Sequence, residues 1–137
     1  MTITEKKKRR ALEIVVDLKS ALTRLQEALK LEETLIVKDA SIQRFEFTFE
    51  LCWKLMQAVA RFKDAETTGS VRDSIRTGTQ LGIVENSEPW FEFHDARNQA
   101  SHTYNLEMAD EVYQKIKSFP PFVHQLIESV EEALTEG

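Results

Sequence analysis

From Ala11 onward the apolar residues Ala11, Val15, Leu18, Leu22, Leu25 and Leu29 recur in alternating steps of four and three. Only an α-helix gathers such spacing into one continuous seam, and a seam that apolar must be buried against further helices. The pattern predicts a helix over about residues 5–31, with Glu13, Lys19, Arg24 and Glu27 on its other faces, and a loop over 32–38. A second series, Ile42, Phe45, Phe49, Cys52, Met56 and Val59, predicts a helix starting at Asp39 or Ser41 and running to Lys63. This second helix carries another apolar row, Phe47, Leu51 and Leu55, nearly opposite the first, and keeps only a narrow polar strip of Glu46, Glu50, Lys54 and Arg61. A helix apolar on two sides has to be covered on both. Either it sits centrally in the bundle or one row forms a subunit interface, and the interface is favoured because each helix of a four-helix domain normally keeps one wet face.

The rest of the chain continues in the same manner. Ser70 and Asp73 resemble a capping box for a short helix ending near Gly78 or Gly82. A third main helix is expected to start between Ser87 and Pro89 and to carry Trp90, Phe91 and Phe93 toward His102. The last series, Val112, Ile116, Phe119, Val123, Leu126, Val130 and Leu134, keeps its phase across Pro120 and Pro121, which predicts one long helix kinked at the prolines. With only four glycines and three prolines in 137 residues, the chain is too poor in turn formers for an all-β domain. The fold class expected is all-α, an antiparallel up-and-down four-helix bundle with an additional short helix, as a single domain over residues 1–137.

Composition narrows the function. Cys52 is the single cysteine, so no internal disulfide can form, and no Cys/His group has zinc-ligand spacing. Neither a metal nor another cofactor is expected, and a reducing cytoplasm suits the chain. The run Lys6, Lys7, Lys8, Arg9 and Arg10 could pass for the start of a signal peptide, but Glu13, Asp17 and Lys19 interrupt the apolar stretch behind it. No segment has the length and apolarity of a membrane span, so no membrane partner is expected. The net charge of -5 excludes a uniformly basic nucleic-acid binder. It leaves the 6–10 run as a local basic patch, either a candidate RNA-binding surface or a solvated first turn.

Chemistry-bearing side chains concentrate in the stretch from His94 to Tyr104, which contains Asp95, Arg97, Asn98, Gln99, Ser101, His102 and Thr103. Such a mixture at the end of an aromatic helix costs burial energy unless it is exposed, hydrogen-bonded or used. Among these side chains the imidazoles can both take and give protons, and Arg97 is permanently charged with a planar donor fork.

The segment Arg97-Asn98-Gln99-Ala100-Ser101-His102-Thr103-Tyr104 resembles the signature of the HEPN superfamily. The ending His102-Thr103-Tyr104 and the run Gln43 to Lys54, rich in phenylalanine, are similar to its branch of HepT-type toxins and nucleotidyltransferase substrate-binding proteins. The resemblance implies a helical bundle that forms a homodimer and works with a cognate minimal nucleotidyltransferase as a toxin–antitoxin pair. It implies that Arg97 and His102 act in metal-independent RNA cleavage, and that the partner can nucleotidylate Tyr104 and so silence the toxin. Such cleavage through the ribose 2′-hydroxyl needs a group that takes and gives protons, the task of His102, and a cation for the crowded phosphorane, the task of Arg97. Asn98 would orient the phosphate or the imidazole. The alternative within the same branch is a non-catalytic subunit that presents substrate to the nucleotidyltransferase. The chain lacks the glycine-serine motif and paired acidic metal ligands of nucleotide transfer, so that activity is expected of the partner.

Geometry sets a condition on the catalytic reading. On an ideal helix Arg97 and His102 point about 140° apart, whereas Arg97 nearly coincides with Tyr104 and Asp95 with His102. To converge, the helix must end near Ser101 or Asn105, or two subunits must share the site.

Overall fold

The structure, a computed structural model, describes residues 1–136. Helix α1 spans Ile3–Leu29 and is capped by Thr2, whose Oγ1 accepts the Glu5 N–H at 3.0 Å. Helix α2 spans Leu35–Phe62, with Thr34 Oγ1 accepting the Val37 N–H at 3.1 Å. The cap thus lies at Thr34 and not at the expected Asp39 or Ser41, because Leu35, Ile36 and Val37 form a first turn that the threonine can anchor. Helix α3, Val71–Gln80, starts at the expected Ser70 cap, whose Oγ accepts the Asp73 N–H at 3.1 Å. Helix α4 covers Ser87–Gln99, α5 covers Leu106–Ile116 and α6 covers Pro120–Glu136, with a 3₁₀ turn at Ala100–His102 between α4 and α5.

Cross-helix contacts give the directions. Lys7 meets Asp64 at 3.3 Å and the Arg44 guanidinium donates to the Arg24 carbonyl at 2.7 Å, so α1 and α2 form an antiparallel hairpin. Arg97 meets Glu46 at 3.2 Å, Lys38 meets Asp110 at 2.9 Å and Lys117 pairs with Glu33. Both α4 and α5 therefore run down α2 as two halves of one limb. Lys19 meets Glu131 at 3.0 Å and Gln26 meets His124 at 3.2 Å, which sets α6 antiparallel to α1. The architecture is the expected all-α up-and-down bundle, with α1, α2, α4–α5 and α6 as its four limbs and α3 as the short addition.

Two expectations change. The last apolar series is buried throughout, but it belongs to two helices, because the chain breaks at Lys117–Phe119 instead of bending through one kinked helix. Proline has no N–H to continue the ladder and disfavours helical geometry at the residue before it, so Pro120 opens a new helix. This break reverses the chain, whereas the interruption at 100–105 lies within a limb. The second change concerns α2, which packs against each of the other helices. Leu55 is fully buried and Phe47 and Leu51 are half-buried, so the two apolar rows are largely covered within one chain and α2 takes the central place.

Phe119 plugs the α5–α6 corner. Its ring lies 5.0 Å from that of Phe45, 4.8 Å from Phe93 and 5.7 Å from Trp90, all edge-on. Edge-to-face pairs add to the area these rings bury and tie α2, α4 and the corner into one aromatic cluster.

Candidate functional site

The third limb is interrupted by its own side chains. Ser101 Oγ donates to the Asn98 carbonyl at 2.8 Å and Thr103 Oγ1 to the Ala100 carbonyl at 3.1 Å, which satisfies carbonyls at the end of α4. Asn105 Oδ1 then accepts the Glu107 and Met108 N–H groups at 2.9 and 3.2 Å and caps α5. The chain so leaves the α-helix at Gln99, close to the position that convergence required.

The turn does not by itself bring Arg97 and His102 together. The Arg97 Nη1 donates to Glu46 on α2 at 3.2 Å, while the His102 ring lies edge-on to Tyr104 with centroids 6.2 Å apart. Two helical steps followed by three 3₁₀ steps still leave the pair about 160° apart around the local axis. No hydrogen bond joins the two among the described residues. His102 and Asn98 are exposed, and Tyr104 is 86 % exposed with Leu106 beside it at 66 %. Asp95 is exposed as well and makes no hydrogen bond to His102 among the described residues, so no carboxylate orients that imidazole.

Glu46 is the partner that motif reasoning missed. Its only signal was membership of the polar strip on α2. Arg97, Glu46, Glu50, Gln43 and Phe47 line a shallow groove of about 420 Å³. Glu50 is already engaged, accepting from Trp53 Nε1 at 3.0 Å and meeting Lys54 at 3.2 Å. The Arg97–Glu46 pair is a third exposed on both sides, a setting in which such pairs contribute at most about 1 kcal/mol. The guanidinium can therefore exchange this carboxylate for a phosphate at small cost.

His94 lies one turn before Arg97. Its ring stacks on Phe49, 6.0 Å between centroids and 5° from parallel, and its Nδ1 is buried without a partner. Burial lowers its pKa, the Asp95 charge opposes that, and the Arg72 and Arg97 charges add to the lowering. The unfolded chain then binds the proton first as pH falls below about 6.5. Stability contributed by His94 is complete above that pH and is lost as pH falls toward the lowered folded value. Urea midpoints measured from pH 7 to 5.5 should fall for the parent and fall less for His94→Phe; equal slopes would refute the assignment.

Of the basic run, Lys7 is held by Asp64 at 3.3 Å and Arg9 by Glu13 at 3.3 Å, while Arg10 reaches the same glutamate only at 4.0 Å. Lys6 and Lys8 have no acidic partner among the described residues. Among those residues no cluster of His, Cys, Asp and Glu could hold a metal, and no helix is long and apolar enough to cross a membrane.

The sequence that builds this fold matches a known family. The family described as nucleotidyltransferase substrate binding protein like matches residues 14–132, which include the whole of the α4–α5 turn. The chain belongs to this family. The probable ribonuclease HepT of Haemophilus influenzae is 34 % identical over 93 residues, which cover 64 % of this chain and 62 % of that protein. The chain thus spans less than two thirds of the length of that relative. A solved Thermus thermophilus protein aligns with a TM-score of 0.70 and 32 % identity, covering 85 % of this chain and 98 % of that one. A Haemophilus influenzae structure, described as the fold of a substrate binding domain of a nucleotidyltransferase, aligns at 0.72 with 25 % identity and the same coverage.

Proposed function

We propose that this family member is the RNA-cleaving subunit of a toxin–antitoxin pair, acting as a cytoplasmic homodimer with Arg97 of one copy facing His102 of the other. The observation that carries the reading is the placement of Arg97 and Asn98 in the last turn of α4 and of His102 and Tyr104 on the exposed interruption that follows it, with Arg97 and His102 on opposite sides of the limb. Two such surfaces brought together by a two-fold axis pair each arginine with the other chain's histidine. The exposed Leu106 supplies apolar area for the contact and leaves Tyr104 accessible.

The chemistry then follows from the residue types. The His102 imidazole takes the proton of the ribose 2′-hydroxyl, whose oxygen attacks phosphorus. The Arg97 fork neutralises the charge that builds on the phosphorane, with Asn98 orienting a phosphate oxygen. The P–O5′ bond breaks, the 5′-oxygen receives a proton from the imidazolium, and the products are a 2′,3′-cyclic phosphate and a 5′-hydroxyl. Neither a metal nor another cofactor enters any step.

Control falls to a nucleotidyltransferase, the partner that the family description and the Haemophilus structure's description support. In the proposed reaction the exposed Tyr104 oxygen attacks the α-phosphorus of a nucleoside triphosphate bound by that enzyme, and pyrophosphate leaves. The tyrosine then carries an anionic phosphodiester next to His102, where it repels RNA.

A second reading, a non-catalytic substrate-binding subunit, draws on the fact that Arg97 already pairs with Glu46 and does not touch His102 in the single chain. Incubating RNA with the protein in EDTA separates the two. Cleavage that leaves cyclic-phosphate ends supports the ribonuclease. Intact RNA, with Tyr104 shown by mass spectrometry to be unmodified, supports the binding subunit.

A further inference from the structure

We infer that Lys6, Arg10 and Arg61 form a distal anchor for the RNA backbone, at the far end of an α2 track that begins at Arg97. The inference rests on the ribonuclease reading and adds to it the length and path of the substrate. Lys6 and Arg10, from the first turns of α1, and Arg61, from the last turn of α2, line one pocket of about 270 Å³ with Ile3, Lys7 and Ala58. No acidic residue lines it. Lys6 and Arg61 have no acidic partner among the described residues, and Arg10 has only the 4.0 Å contact with Glu13. Lys7, in contrast, is taken by Asp64, so of the five-residue run only some members are available to a ligand.

The pocket lies in line with the groove at Arg97. Taken at 100° per residue, Glu46, Glu50, Lys54 and Arg61 fall within an arc of about 80° on α2, and Glu46 to Arg61 rises about 22 Å. Each acid on this strip is matched by a cation: Glu46 meets Arg97 at 3.2 Å and Glu50 meets Lys54 at 3.2 Å. With Arg97 turned to a phosphate, Glu46 is the one carboxylate the strip leaves unpaired between the groove and the distal cations. A strand stacked at about 3.4 Å per nucleotide crosses it in roughly six or seven nucleotides. An RNA long enough to reach both ends gains the anchor, and a shorter one binds at the groove alone.

The test uses full-length protein carrying His102→Ala, so that RNA is bound but not cut, with labelled oligouridylates of 4 and 16 nucleotides titrated at several salt concentrations. Adding Lys6→Gln and Arg61→Gln should weaken binding of the 16-mer on the order of tenfold at 0.1 M salt and lower its salt slope by about 1.4, that is about 0.7 for each single-strand phosphate that a side chain no longer neutralises. The 4-mer should bind as before. A control that removes the same charge elsewhere, Lys30→Gln with Lys115→Gln, should leave the slope unchanged. An equal effect from the control pair, or an equal loss for the 4-mer, overturns the anchor and leaves the ribonuclease reading standing. Absence of binding at either length overturns both.

Discussion

Mixing the Arg97→Ala and His102→Ala proteins is expected to restore about a quarter of the parent's RNA cleavage, since random pairing makes half the dimers mixed and leaves each of these one intact site of two. Alone, each variant should lose on the order of 10²–10⁴-fold. The reason is geometric. Arg97 turns toward Glu46 on α2 while His102 stands beside Tyr104 on the other side of the turn, so no single chain assembles the pair. Cleavage assays on the separate and mixed proteins check this directly. A mixture as inactive as its components would show that the two groups do not complement each other across subunits, and the shared site would be abandoned.

The largest expected effect on stability comes from Phe119→Ala. The ring is fully buried and touches Phe45, Phe93 and Trp90, which belong to the long central helix and to the limb that carries the site. Removing it deletes the transfer energy of a buried phenylalanine and leaves a cavity where three elements meet, a loss of about 3–5 kcal/mol. For a chain of this length that lowers Tm by roughly 10 °C or more. Urea unfolding should show the loss in the midpoint with an unchanged slope. Phe119→Leu, which keeps most of the volume, should cost clearly less. A cost below about 1 kcal/mol for Phe119→Ala, far under the usual range for a buried ring, would mean that the corner closes around the gap and that the cluster does not hold α5 to α6.

Much of this architecture was legible because it depends on periodicity. The seams on α1 and α2 and the last apolar series are buried as their spacing requires, apart from the half-buried Leu29 at the end of α1. The start of α2 was misplaced because Thr34 caps it as well as a residue further on could, and the exposed Leu35 and Ile36 add nothing to the seam. The α5–α6 break was read as a kink because phase is preserved across it, and phase carries no information about three residues leaving the helix. Among the candidate residues, spacing could show that Arg97 and His102 diverge on a regular helix. It could not show that Glu46 receives the arginine, since that contact depends on how two helices are placed against one another.

The interruption at 100–105 does more than expose the candidate residues: it re-gears the limb. In α4 the inward residues are Trp90, Phe93 and Ala96, and in α5 they are Ala109, Val112, Tyr113 and Ile116. Counted along one unbroken helix, these two groups would face about 150° apart, and one half of the limb would turn its apolar face to water. The turn supplies the missing rotation, so that both halves address α2. Its length is thus tied to the fold as a whole. Loss of a single residue there would swing the face of α5 that carries Tyr113 by about 100° out of the core. A loop between separate helices tolerates insertion and deletion, but this one is constrained as tightly as the core on either side of it.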